Sequence, residues 1–218
     1  MIVSVHIPKT AGSSFRDLLI QSLGDQVCLS YDQKPLRNRA EGTALTKVEP
    51  RAEPYACAVL HGHFVADRVS LPVDANQRYA VWLRHPVERL ISHYFFWKRE
   101  PYLDQPLCRR LIDEDMDIET FAALDAMRDL QGFFLGDIPL DDFDFVGITE
   151  HFGPSIQRFN ATFGTDLGQA LIANANSAKP GSGYRAMIGD KAYETIASLN
   201  ARDMTLYEQA LSALRRAC

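Results

Sequence analysis

Ile2-Val3-Ser4-Val5-His6-Ile7-Pro8-Lys9-Thr10-Ala11-Gly12-Ser13-Ser14-Phe15 is the stretch on which the fold turns. Ile2 to Ile7 alternates and is β-branched, the pattern of a strand, and its apolar character places it centrally in a sheet. Pro8 to Ser14 is a short loop. From Phe15 onward apolar residues fall at Phe15, Leu18, Leu19 and Leu23, which is helical spacing, and Gly24 is a natural terminator.

The same alternation continues along the chain. A second strand, Ala56 to Leu60, runs into His61-Gly62-His63, and a third, Tyr79 to Leu83, runs into Arg84-His85-Pro86. Pro86 suits the first turn of a helix. In that helix Val87, Leu90, Ile91, Tyr94 and Phe95 form an apolar stripe, and Glu88, Arg89, Ser92 and His93 fall on the other side. Gln33 to Pro54 reads as a surface excursion with little regular structure. Asp113 to Asp144 is acidic and helical around Ile118 to Leu130, a solvated face. Phe143 to Ile148 is a fourth strand, followed by a helix through Phe163. Asn174 to Tyr184 reads as a loop, and helices over Asp190 to Leu199 and Asp203 to Arg216 follow it.

Strands alternating with helices predict one α/β domain over residues 1–218, with a central, mostly parallel sheet flanked by helices. In such sheets ligands bind beyond the carboxyl ends of the strands. Lys9 to Ser14, His61 to His63 and Arg84 to Ser92 each directly follow a strand, so all three belong on one rim.

The bulk numbers restrict the function. A net charge of −5 on 218 residues supplies no general basic field for nucleic acid. No window approaches the roughly 20 apolar residues of a membrane span, and the N-terminus lacks the pattern of a secretory signal. Cys28, Cys57, Cys108 and Cys218 are widely spaced with no CxxC pair, so reduced thiols and a cytoplasmic location are expected.

Between a strand and a helix start, Pro8 to Ser14 has the makings of an anion cradle. The helix brings free amides and the positive end of its dipole, Gly12 permits close approach, Thr10, Ser13 and Ser14 add hydroxyls, and Lys9 adds a full charge. It is not a Walker A loop, because the lysine precedes the glycine. A solvated turn with a serine cap is the plainer alternative. Arg84 and Ser92 can share one phosphate between guanidinium and hydroxyl, or be an ordinary surface arginine and helix start. His61-Gly62-His63 offers a general base, two structural histidines, or two metal ligands completed by His85 or His93.

Ile7 to Phe15 resembles the 5′-phosphosulfate-binding motif of sulfotransferases that use 3′-phosphoadenosine 5′-phosphosulfate (PAPS). The resemblance is strongest to the branch that includes the heparan sulfate 2-O- and 6-O-sulfotransferases. Leu83 to Tyr94 resembles the family's 3′-phosphate-binding pattern, with His85 where many members carry Asp. Phe145 to Glu150, Asn176 to Pro180 and Leu206 to Glu208 also look familial. The resemblance implies the P-loop-like sulfotransferase fold, PAPS as donor with no metal, and an acceptor that is a small molecule or a glycan. It implies that Lys9 contacts the transferring sulfate, that Thr10, Ala11, Gly12, Ser13 and Ser14 hold the 5′-phosphate, and that Arg84 and Ser92 hold the 3′-phosphate. His63 would be the catalytic base, with His61 its weaker rival. Lys179, Ser182 and Arg185 would close over the nucleotide. The alternatives are a P-loop-like kinase using ATP and a non-catalytic nucleotide-binding module.

Overall fold

The computed structural model describes residues 1–48, 57–70, 76–168 and 183–217. Five strands, β1 (Ile2–Val5), β2 (Val27–Ser30), β3 (Val59–Gly62), β4 (Arg78–Leu83) and β5 (Phe145–Ile148), form one sheet. Their order is β2-β3-β1-β4-β5, and every neighbouring pair is parallel. The helices are α1 (Gly12–Leu23), α2 (Pro35–Glu41), α3 (Pro86–Arg99), α4 (Pro106–Asp113), α5 (Ile118–Ala123), α6 (Leu130–Leu135), α7 (Phe152–Phe163), α8 (Tyr184–Ile188), α9 (Asp190–Leu199) and α10 (Ala201–Ala217).

Parallel strands bury both faces, and the two-residue period of the strands divides the core accordingly. Val3, Val5, Leu60, Val81 and Leu83 join one apolar cluster with Val87, Leu90 and Ile91 of α3 and Leu211 of α10. Val59, Ala80, Trp82 and Phe145 face the other way, against Phe15, Leu18 and Leu19 of α1 and Ile156 and Phe159 of α7. β1 lies between β3 and β4, so the chain leaves it toward one side for β2 and crosses to the other side for β4. The crevice at the carboxyl end of β1 is the topological switch point.

Several details depart from the sequence reading. Cys28 and Cys57 are not reduced thiols but a disulfide, with Cα atoms 5.7 Å apart. The register that sets β2 beside β3 brings them together, although 29 positions separate them. This bond removes the argument that pointed to the cytoplasm; Cys108 is a free, buried thiol. The second strand begins at Val59 and runs to Gly62, so His61 lies inside it rather than after it. Gln33 to Pro54 is not merely irregular: α2 occupies Pro35 to Glu41, started by a proline in its first turn. The acidic stretch is broken into α5 and α6 by Asp129, whose φ is 43°. Glu88, Arg89 and His93 are buried rather than on an open polar face. They are buried because α3 packs against α4, α5, α9 and α10 as well as the sheet side.

Candidate active site

Beyond β1 the chain turns sharply. Lys9 has φ 71° and Ala11 φ 64°, left-handed values that non-glycine residues adopt only under constraint. The turn leads into α1, which starts at Gly12 with no capping side chain and no acidic residue in its first turn. The amides of Gly12, Ser13 and Ser14 precede the first intrahelical bond, which Phe15 N donates to Ala11 O at 3.0 Å. They have no partner within the helix and lie at the positive end of its dipole. The two serines are exposed. Thr10 is fully buried, and its hydroxyl donates to Ile7 O at 2.9 Å, so it holds the loop's shape. Gly12 sits directly on the His6 ring, and a Cβ there would overlap it.

Arg84 approaches the same loop from the end of β4. Its guanidinium donates to Lys9 O at 3.3 Å. Its backbone is clasped by buried Gln131, which accepts from Arg84 N and donates to Arg84 O, each at 2.9 Å. Gln131 is held in turn by Asp203, whose carboxylate accepts from the amides of Gln131 (2.8 Å) and Gly132 (2.7 Å) and so caps α6. The Lys9 ammonium lies 4.0 Å from the centroid of the Phe96 ring. Burial pushes its pKa down, and the charges of Arg84 and Arg99 push it further. Two cations thus converge with no carboxylate ion-paired to either among the described residues, and an anion placed there would relieve their repulsion. Ser92 is partly exposed two turns along α3. His85 N donates to Glu150 Oε1 at 2.9 Å, which pins the start of that helix to the end of β5.

His63 follows β3. Its Nδ1 lies 2.6 Å from the backbone oxygen of His6. A carbonyl only accepts, so Nδ1 carries the proton and the neutral ring presents a bare Nε2. Burial lowers the pKa of His63, so the neutral form prevails near pH 7. His61 is placed differently. It is fully buried, its Nδ1 is bonded to Ser4 Oγ at 2.9 Å across the sheet, and burial pushes its pKa down to about 3.

One cleft of about 460 Å³ is lined by Lys9, Ser13, His63, Tyr31, Phe96 and Lys34, among others. It brings the lysine, a cradle serine and His63 together. A larger concavity of about 810 Å³, lined by Val146, Arg158 and Glu208, contains none of the predicted site residues. Arg185 is exposed and engaged by Asp190 (2.6 Å) and Glu194 (2.7 Å). Lys179 and Ser182 lie outside the described residues. No group of three or more His, Cys, Asp or Glu among the described residues is placed to hold a metal ion. Sequence reasoning missed Gln131, Asp203 and Glu150, which position Arg84 and α3, and it missed Tyr31 and His6 beside His63. Only Glu150, within the segment already singled out for its resemblance, carried a signal.

Mouse sulfotransferase SULT7A1, solved in complex with PAP, superposes with a TM-score of 0.55 over 100% of this chain and 88% of its own, at 11% identity. The chain has the sulfotransferase fold. A sulfotransferase from Alicyclobacillus acidocaldarius gives a TM-score of 0.49 at 17% identity, covering 98% of each chain. No protein-family model matches the sequence, and no curated protein matches it either. In this sulfotransferase fold, Lys9, His63 and Arg84 lie just beyond the carboxyl ends of β1, β3 and β4.

Proposed function

We propose that the chain is a PAPS-dependent sulfotransferase that moves a sulfuryl group onto an acceptor hydroxyl of a carbohydrate or small alcohol. The observation that carries this reading is the shared cleft, which Lys9 and His63, the latter with its Nδ1 bonded to His6 O, both line. The fold and the adjacent cations Lys9 and Arg84, neither of them ion-paired to a carboxylate among the described residues, support a doubly anionic nucleotide as donor. The α1 amides with Ser13 and Ser14 would hold the 5′-phosphate, and Arg84 with Ser92 the 3′-phosphate. Thr10 and Gly12 would shape the loop, and Ala11, in its left-handed conformation, would turn it. Residues 1–218 would act as one domain.

In the proposed reaction the acceptor oxygen attacks sulfur in line with the leaving phosphate oxygen. His63 Nε2 takes the hydroxyl proton as the new O–S bond forms. The old S–O bond breaks, and its electron pair stays on the phosphate of adenosine 3′,5′-bisphosphate. Negative charge grows on the bridging oxygen, where Lys9 and the start of α1 stabilise it more than in the ground state.

Transfer of label from [35S]PAPS to a panel of sugars and alcohols tests this. The wild-type protein should label at least one acceptor, and Lys9→Ala or His63→Ala should lower turnover on the order of 100-fold. Wild-type turnover in His63→Ala on that acceptor would overturn the assignment of the base.

A further inference from the structure

β2 is an edge strand, paired only with β3. Its last residue, Ser30, accepts a hydrogen bond from His63 N at 2.9 Å. The two strand ends are in such close contact that a Cβ on Gly62 would overlap Ser30 O. The chain then leaves the sheet at Tyr31. This ring stands edge-on to His63, with centroids 4.9 Å apart at 82°, and edge-on to His6 at 5.7 Å and 85°. The Tyr31 hydroxyl is 2.8 Å from His6 Nδ1. Burial raises the Tyr31 pKa and pushes His6 far down, so the phenol donates and the neutral imidazole accepts. His6 also supplies the carbonyl that fixes His63 Nδ1. Three residues therefore close a ring: Tyr31 holds His6, His6 holds His63, and Tyr31 walls the side of His63.

Nothing in the proposed chemistry uses Tyr31 directly, yet it lines the cleft and touches the one imidazole that must point its Nε2 outward. The Cys28–Cys57 disulfide lies three residues before it and ties this edge strand to the segment entering β3. We propose that Tyr31 is a positioning residue for His63, carried on a strand that the disulfide anchors. The inference rests on the reading of His63 as the base. Tyr31 sets the rotamer of that ring, and so keeps its Nδ1 on the His6 carbonyl that fixes the tautomer; it takes no proton from substrate. Among the described residues, His6 after β1, His61 in β3, Tyr31 and His93 of α3 lie around His63, Lys9 lines the same cleft, and Arg16 of α1 acts on His6, His61 and Tyr31.

Histidine 15N NMR across pH, on the full chain, separates this role from simple packing. In wild type His63 should be the Nδ1–H tautomer and titrate below 6.5. Tyr31→Leu, which keeps bulk but removes the ring and hydroxyl, should mix the tautomers and shift the His63 titration from its wild-type position. It should lower kcat about tenfold, a fraction of what general-base catalysis supplies, and leave affinity for adenosine 3′,5′-bisphosphate within about twofold. Tyr31→Phe retains the ring but loses the bond to His6, so its kcat should fall between wild type and Tyr31→Leu, and urea midpoints of both variants near that of wild type exclude a folding defect. An unchanged His63 tautomer and titration in Tyr31→Leu would overturn the proposal. So would a loss of bisphosphate affinity equal to the loss in kcat. Failure of the base assignment itself would show otherwise, as full turnover in His63→Ala with the NMR response to Tyr31→Leu still present.

Discussion

Acidification from pH 7 to pH 5 should strip the fold of a large part of its stability, and the buried histidines set the size of the loss. His6, His61 and His93 are 7%, 0% and 3% exposed. Burial lowers all three, His61 to about 3, and the mutual repulsion of the cluster adds to it. A histidine whose native pKa lies below its unfolded value stabilises the fold above the unfolded pKa. That contribution is lost as the pH falls from about 6.5 toward the native value. At pH 5 the unfolded chain gains about 2 kcal/mol from protonating each of these three, so the sum is about 6 kcal/mol. A typical domain holds only about 5–15 kcal/mol in total. His63 and His85 are lowered too and act in the same direction. Asp203 and Glu88, raised by burial, act in the opposite one. Urea titrations at the two pH values and constant ionic strength read the difference. His61→Gln, whatever its own cost, should reduce the pH-dependent loss by about 2 kcal/mol, because one depressed group is gone. Stability that holds level or rises between pH 7 and pH 5 would refute the reasoning, as would imidazoles titrating near 6.5 in the folded protein.

Opening the Cys28–Cys57 disulfide with Cys28→Ser should lower stability by about 3–4 kcal/mol, the loop-closure value for 29 residues, measured as a fall in urea midpoint. Arg89 is fully enclosed, burial lowers its pKa to about 10, and its Nη1 approaches His93 Nδ1 at 3.5 Å. Arg89→Ala should therefore cost about 3–5 kcal/mol in the same assay, since it leaves a cavity and removes a cation whose charge favours ionisation of buried Asp203. Gly12→Ala should weaken binding of adenosine 3′,5′-bisphosphate at least tenfold by calorimetry, because the added methyl group must displace the His6 ring or tilt the start of α1.

The opening strand, loop and helix were legible because each carries its own local signal: β-branched alternation, then Gly and hydroxyl residues, then helical spacing. Arg84 was legible for the same reason, as a charge at the end of an apolar strand. β2 was not, since four half-exposed residues at a sheet edge have no periodicity to display. The disulfide follows from β2's register and was hidden with it. Arg89 read as a polar face because helical spacing reports one buried stripe, whereas α3 is covered by further helices. Gln131, Asp203 and Tyr31 act on Arg84 and His63 from elements tens of residues away, and no local pattern marks such a partnership. Lys9 and Arg84 could thus be picked out as candidates from sequence, while the residues packed against them became visible only in the fold.

If the Lys9 loop and Arg84 act as proposed, together they clamp a nucleotide carrying both 5′ and 3′ phosphates. Calorimetric titration of the protein with adenosine 3′,5′-bisphosphate, with ATP and magnesium run in parallel, tests this most directly. The account predicts micromolar or tighter binding of the bisphosphate at about −8 kcal/mol. It also predicts at least tenfold weaker binding of ATP with magnesium, and loss of the preference in Arg84→Ala. Equal or tighter binding of ATP, or bisphosphate affinity untouched by Arg84→Ala, would contradict it.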